Sequence, residues 1–388
     1  IKAIPGFGPV YSGIIVTVGG ILPFVNKTWN KSTSSKVFSI LKLFGIVFIF
    51  MAIFNVGPAF LLAKDVIPFI YKSIVISVTT IVPIGSIFLA FLVNYGLMEY
   101  VGIFMQPVMR PIWKTPGRSA IDAVASFVGS YSLALLITNR VYKEGKYTGK
   151  EAAIIATGFS TVSATFMVIV ANTLGIMDHW LLYFWLTLVV TFIVTAITAR
   201  IYPLSKKPDT FYKNQVGDVE KLATGNRFRM ALEEGMEAFD KAPTVLNSVK
   251  DNLIDGIKLA LSIGPLLMSI GVIGVVLATY TPIFDIIGYI FYPFTFITRV
   301  PEPLLAAKAN ALSIAEMFLP ALLVTEAPII TKFLIAVVSV SEVLFFSASI
   351  PCMMATEIPL TMKDYIIIWI ERVALSILIT APILHLIF

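Results

Sequence analysis

PGRSAIDAVASFVGSYSLALLITNR, residues 116–140, is apolar enough for lipid, yet basic loops flank it on both sides. Arg110 and Lys114 lie before it and Arg118 at its start; Arg140 closes it, and Lys143, Lys146 and Lys150 follow. Read as a single crossing, the segment would place one of these loops outside, against the cytoplasmic bias of Lys and Arg. A segment that enters at about 119, turns and returns by 139 keeps both loops inside. Gly129-Ser130-Tyr131-Ser132 supplies a hairpin tip at its centre. Such backbone is tolerated at membrane depth only where protein or a cavity covers it.

A second stretch repeats this pattern. Gly102, Pro107 and Pro116 precede the first segment, which ends Leu135-Leu136-Ile137-Thr138. Gly288, Pro293 and Pro301 precede residues 303–325, which end Leu322-Leu323-Val324-Thr325. Each copy runs on into an apolar helix with a polar interruption. The first reads Phe159-Ser160-Thr161-Val162-Ser163 and the second Val338-Ser339-Val340-Ser341-Glu342. Paired, interrupted apolar segments in two halves are the sequence mark of a carrier whose site lies near the bilayer midplane.

Composition sets the class. The chain is 57% hydrophobic and 13% charged, with a mean hydropathy of +0.89. This implies an all-α polytopic membrane protein, since the apolar runs are continuous rather than alternating as in a barrel. The net charge of +6 resides mostly in loops and does not imply a nucleic-acid partner. One cysteine, Cys352, excludes an intrachain disulfide. His179 and His385 lack metal-ligand spacing, and there is no HExxH, Walker, dinucleotide or GxSxG pattern, so neither a cofactor nor an enzyme is expected. The chain begins at Ile1, which leaves room for a missing N-terminal segment.

About eight spans plus two hairpins are expected, the spans near 10–25, 37–55, 70–98, 151–173, 180–202, 251–281, 328–350 and 366–388. Propagating the loop charges gives two units of opposite orientation, each built as span, re-entrant hairpin, broken span, span. The domains are then 1–65, N-terminal membrane helices; 66–203, the first repeat; 204–249, a charged cytoplasmic linker; and 250–388, the inverted second repeat. Phe228, Leu232, Met236 and Phe239 fall at helical spacing in the linker. They predict either an amphipathic helix on the inner membrane surface or a solvated connector.

Ionisable groups at bilayer depth are costly and are read first as functional. Glu342 and Glu316 are the leading candidates for binding solute or coupling an ion, and Thr161 joins them for coupling. Ser160 and Ser163 in one break, Ser339 and Ser341 in the other, Ser130 and Ser132 at the first tip and Asn310 in the second hairpin are candidate solute ligands. Each also has a structural reading, since buried hydroxyls and carboxyls commonly hydrogen-bond within the fold. Asn139 and Ser313 could add to the site. Asp122 follows Arg118 and Ser119 and reads more readily as a helix-start residue. Lys72 and Lys258 read as span-end residues that snorkel to the interface.

Pro116-Gly117-Arg118-Ser119, Gly129-Ser130-Tyr131-Ser132, Asn139-Arg140-Val141-Tyr142 and the Gly158–Ser163 run resemble the YjiH-like membrane proteins, which carry the nucleoside-recognition or Gate domain. Ala309-Asn310-Ala311 through Glu342 resemble the YjiG-like partner, here fused. The Gate group includes concentrative nucleoside transporters, the membrane part of ferrous-iron transporter B, and spore-maturation proteins A and B. The resemblance implies a solute site between two hairpin tips and two broken helices, with Na⁺ or H⁺ as coupling ion. The leading expectation is a multi-pass carrier in the cytoplasmic membrane for an amino-acid-like or dipeptide-like zwitterion. A nucleoside carrier and a non-transporting assembly or regulatory protein are the alternatives, and self-association stays open.

Overall fold

The computed structural model describes residues 7–30, 33–128, 130–222, 225–240 and 242–388. Gly129, placed by sequence at the first hairpin tip, lies outside them. The described residues are almost wholly helical, without a strand. In chain order, α1 is Phe7–Val25 and α2 is Thr33–Phe54. The short α3, Ile67–Phe69, runs through a π-turn at Ile70–Val75 into α4, Ile76–Asn94. Next come α5, Leu97–Trp113, the pair α6, Ala120–Val128, and α7, Tyr131–Lys143. The interrupted pair α8, Gly149–Gly158, and α9, Ala164–Leu174, leads to α10, Trp180–Thr198.

The linker holds α11, Arg227–Asp240, and is followed by the long α12, Val245–Tyr280. The second half then repeats the order. The pair α13, Ile283–Gly288, and α14, Tyr292–Ile297, stands where α5 stood. After it come α15, Pro303–Leu312, and α16, Leu319–Leu323, then α17, Ile329–Ser341, and α18, Ser349–Met354. The chain closes with α19, Met362–Ile387. Among the described residues, six helical stretches are long and apolar enough to cross a membrane. The expected spans at 151–173 and 328–350 are the two that contain breaks, at residues 159–163 and 342–348.

The chain divides into two compact units that do not follow the sequence repeats. The first holds residues 1–90, 244–281 and 346–355. Here α1, α2 and α12 pack pairwise. The crossings are close because glycine faces backbone. A Cβ on Gly19 would lie 1.9 Å from the Leu261 carbonyl oxygen, and one on Gly45 would lie 2.1 Å from that of Pro265. Without a hydrophobic drive between helices in lipid, such small-residue contacts supply the packing.

The second unit holds residues 91–243, 282–345 and 356–388. In it α6 and α7 fold back on each other, so that Thr138 Oγ1 near the end of α7 donates to Asp122 Oδ1 near the start of α6 (2.6 Å). The landmark glycines mark close backbone approaches. A Cβ on Gly117 would meet the Gly102 carbonyl at 2.0 Å, and one on Gly288 would come within 3.1 Å of Lys308 Cα. The linker docks on the first of these places. Glu220 is buried and accepts from the Gly117 and Arg118 amides (both 3.0 Å) and from Arg110 Nε and Nη2 (3.2 and 3.1 Å). Helix α11 packs on α5, while Phe228, Leu232, Met236 and Phe239 all stay exposed.

Candidate functional site

The breaks are the places where a helix leaves carbonyls and amides without intrahelical partners. In apolar surroundings these groups need other partners. At the first break, Thr195 Oγ1 of α10 donates to the Gly158 carbonyl (3.0 Å). At the second, Arg372 of α19 donates through Nε and Nη2 to the Ser341 carbonyl (2.9 and 2.6 Å) and through Nε to the Glu342 carbonyl (3.1 Å). Its Nη1 reaches Thr195 Oγ1 (3.1 Å), so one chain of hydrogen bonds ties both breaks together. Arg372 is fully buried. Arg suits this task because its planar fork serves several acceptors at once.

Each hairpin also meets its own break through a serine. Ser126 Oγ in α6 donates to the Thr161 carbonyl (2.5 Å), and Ser313 Oγ, just after α15, donates to Glu342 Oε2. The offset of 187 that carries Thr138 onto Thr325 also carries Ser126 onto Ser313. Each tip also meets the opposite repeat through an aromatic pair. The Tyr131 ring at the first tip stands 5.7 Å from Phe345 in the second break, and Phe166 of α9 stands 6.1 Å from Phe318 at the second tip.

Glu342 is at the centre of this arrangement. It is fully buried, and its Oε2 also accepts from Trp369 Nε1 (3.0 Å). Its Oε1 has no hydrogen-bond partner, and neither has Asn310 Nδ2 one turn before Ser313. Ser313 links the two residues, since its hydroxyl also contacts the Asn310 carbonyl (2.6 Å). An unpaired buried acceptor and donor beside one serine form an unfinished polar site.

The remaining candidates divide. Glu316 is buried but directs Oε2 to the Phe318 and Leu319 amides (2.6 and 3.1 Å), at the entry to α16. Ser341 turns to Ser376 (2.8 Å) rather than to the Glu342 carboxylate, and Ser339 bonds back to the Ile335 carbonyl (2.7 Å). Ser130 precedes α7, accepts from the Leu133 amide (3.4 Å) and pairs with Ser132 (3.0 Å). Ser160 is buried with its hydroxyl unpartnered, Ser163 opens α9 without a side-chain cap, and Thr161 Oγ1 lies 3.4 Å from Ser126. Asn139 accepts from the Glu357 amide (2.9 Å).

Asp122 lies in the first turn of α6, as its helix-start reading expects, and it does more than that. It is buried within α6, and its carboxylate takes Thr138 and the Tyr147 hydroxyl (2.7 Å), which fastens the hairpin base. Lys258 is exposed on α12 beside Asp255 (3.5 Å), thirteen residues from the start of that 36-residue helix. Arg372, Trp369 and Ser126 were not singled out by sequence. The bilayer-depth charge rule that selected Glu342 selects Arg372 as well when applied to the last span.

The comparisons bear on this geometry. A family model described as Gate, nucleoside recognition, matches residues 75–177. An uncharacterised protein of Alkalihalophilus pseudofirmus is 33% identical over 353 residues, which cover 90% of this chain and 76% of the relative. This chain belongs to the Gate family of membrane proteins. Two variants of CNTnw in outward-facing states superpose with TM-scores of 0.53 and 0.57 at 13% and 14% identity. They cover 99% and 98% of this chain, and 93% of each variant is matched. The likeness concerns the fold alone.

Proposed function

We propose that this Gate protein is a secondary transporter of a small polar organic solute in the cytoplasmic membrane. The solute is an amino-acid-like or dipeptide-like zwitterion, carried by alternating access and coupled to H⁺ or Na⁺. The observation that carries this reading is the Glu342 carboxylate, buried at a helix break with Oε2 held by Ser313 and Trp369 and Oε1 left open. An ammonium group, a proton or a cation completes Oε1, and Asn310 Nδ2 is free to donate to a solute carboxylate or carbonyl. A buried carboxyl oxygen without a hydrogen-bond partner carries a cost that such a ligand removes.

A nucleoside is the second reading. It rests on the description of the family model, which spans the first hairpin and the first break, and on the fold shared with CNTnw. Thermal-shift screening of the purified chain with amino acids, dipeptides, nucleosides, Na⁺ and pH separates the two. A ligand at 100 times its Kd adds about 2.7 kcal/mol of stability. Transport into proteoliposomes by the wild type and by Glu342→Gln then tests the site. The expected result is loss of coupled uptake with a folded protein. Normal uptake by Glu342→Gln across pH would overturn the assignment.

A further inference from the structure

Lys42 is the one charge that α2 carries beyond its first turn, and it lies well inside a helix apolar enough to cross a membrane. A charge at that depth is read first as functional. Among the described residues it has no ion pair and no side-chain hydrogen bond. Its level is fixed by contacts within the first unit. A Cβ on Gly20 of α1 would lie 3.2 Å from the Lys42 carbonyl oxygen, beside the place where Gly19 meets Leu261 of α12. Gly45, about one turn further along α2, meets Pro265, about one turn further along α12. Helices α2 and α12 therefore run in the same direction, and the Lys42 backbone is level with Leu261 and Ser262. Lys258 stands about one turn before that level. It is the last charge of α12, since residues 259–280 carry none, and that uncharged run matches the roughly 20 residues a bilayer core needs. Lys258 thus marks the end of the crossing that follows the linker, with Lys42 about one turn deeper.

The two lysines border one crevice of about 240 Å³ between α1, α2 and α12. Asn26, Thr28 and Ser262 add polar groups, and none of the described residues lining it carries a carboxylate. Asp255, 3.5 Å from Lys258 Nζ, is itself exposed and offsets little of the charge. Asn26 and Ser262 make no side-chain hydrogen bond among the described residues. Snorkelling carries a single lysine to the nearest headgroups. It does not account for two lysines of different helices on one crevice, where like charges repel. A bound anion does. The surroundings say which kind. Ile21 and Leu43, next in sequence to lining residues of the crevice, are exposed, as is Val25. A soluble anion has no use for such apolar surface, whereas the acyl chains of a lipid do.

We propose that this crevice holds the phosphodiester of an anionic phospholipid with a hydroxylated headgroup, of the phosphatidylglycerol kind, in the leaflet on the linker side. Lys42 and Lys258 meet the phosphate oxygens as point charges, and Asn26, Thr28 and Ser262 meet the headgroup hydroxyls. Basic pockets between membrane helices bind lipid headgroups in this way. A choline headgroup brings a cation towards two lysines and is disfavoured. The lining comes from three elements, so the lipid fastens α1 and its following loop, α2 and α12 together beside their glycine crossings.

Titration of the full chain in mixed micelles of phosphatidylglycerol and phosphatidylcholine tests this, with retained lipid counted by native mass spectrometry. The wild type should retain phosphatidylglycerol ahead of phosphatidylcholine. Lys42→Gln combined with Lys258→Gln should raise the mole fraction needed for half occupancy by about tenfold or more. Lys42→Arg should keep the site. Lys143→Gln with Lys206→Gln removes equal charge elsewhere and should leave retention unchanged. Ser262→Phe fills the crevice without altering charge and should also lose the lipid, which keeps the test open even if the double lysine variant fails to fold. Excess inorganic phosphate should not displace the lipid, and displacement would assign the crevice to a soluble anion instead. Equal retention by the wild type and either crevice variant, or no preference for phosphatidylglycerol in the wild type, would overturn the proposal.

Discussion

Replacing Arg372 with Met keeps much of the side-chain volume and removes every donor. The Ser341 and Glu342 carbonyls then lose their side-chain partner at a break, inside the protein. Each buried acceptor left unsatisfied costs about 1–3 kcal/mol, so the pair costs about 2–6 kcal/mol. The contact with Thr195 adds a smaller loss, since Thr195 retains its own bonds to Gly158 and Thr191. Against this stands the relief of burying no guanidinium, which makes the upper end of the range a ceiling. A net loss of even 2 kcal/mol is large beside a total stability of about 5–15 kcal/mol. Unfolding in mixed micelles reads the difference, with the exposed Lys143→Ala as control. Hydrogen exchange should quicken at amides 341–345 while α1 and α2 stay unchanged. Arg372→Lys retains charge but fewer, differently aimed donors, and should fall between. If Arg372→Met unfolds within about 0.5 kcal/mol of the wild type, as a neutral surface substitution does, the role assigned to Arg372 is wrong.

Three further outcomes follow from other contacts. Asp122→Asn and Tyr147→Phe share one hydrogen bond, so a double-mutant cycle on unfolding should show a coupling of about 0.5–3 kcal/mol, and strict additivity would reject the clamp. Phe228→Ser with Leu232→Ser alters only exposed linker side chains and should leave solute binding intact, whereas Glu220→Ala strips the cap from the Gly117 and Arg118 amides and should lower the unfolding midpoint; loss of binding in the folded serine pair, or an unchanged midpoint in Glu220→Ala, contradicts this. In a Cys352→Ser background, cysteines at the exposed positions 114 and 143 should label from the same side of sealed vesicles, and labelling from opposite faces would dismiss the re-entrant reading.

The fold was legible where the sequence carries long-range constraints. Continuous apolar runs gave the helices, because lipid leaves no other use for them. Basic residues around 116–140 and the polar interruption at 159–163 gave the first hairpin and break, because each is expensive in lipid without a reason. The second interruption, expected at 338–342, stays helical through Ser341, and the break begins only at Glu342 and runs to 348. The site was less legible. Glu342 stood out as a charge, but its partners Ser313 and Trp369 lie 29 and 27 positions away, and no local pattern joins them. Asp122 was legible as a helix-start residue but not as a clamp, because sequence shows only neighbours. Its partners come from the returning helix and the following loop, which only the folded hairpin brings near. Glu220 sits in a linker whose mixed charges resemble a solvated connector, and its burial depends on glycines at 102 and 117 that let the chains approach.

The kinds of contact also indicate where motion is cheap. Within each repeat, hairpin and break are joined by directional bonds, Ser126 to Thr161 and Ser313 to Glu342. Across the repeats, the tips meet the opposite partners through Tyr131 with Phe345 and Phe166 with Phe318. Edge-on ring contacts are worth only about 0.5–1.5 kcal/mol beyond area burial and tolerate sliding. Hydrogen bonds to a buried carboxylate do not. The weaker seam therefore runs between each tip and the opposite break. A ligand that completes Glu342 Oε1 acts on the stronger, directional side of that division. It can shift the equilibrium only through a differential affinity for the two tip positions. Ser313→Ala is thus the informative change. It cuts the bond joining the second hairpin to Glu342 while sparing both aromatic contacts. It should uncouple solute binding from tip movement, read as a ligand-induced change in labelling at position 131, more than it weakens binding itself. A variant that still couples as the wild type does would place the hinge elsewhere.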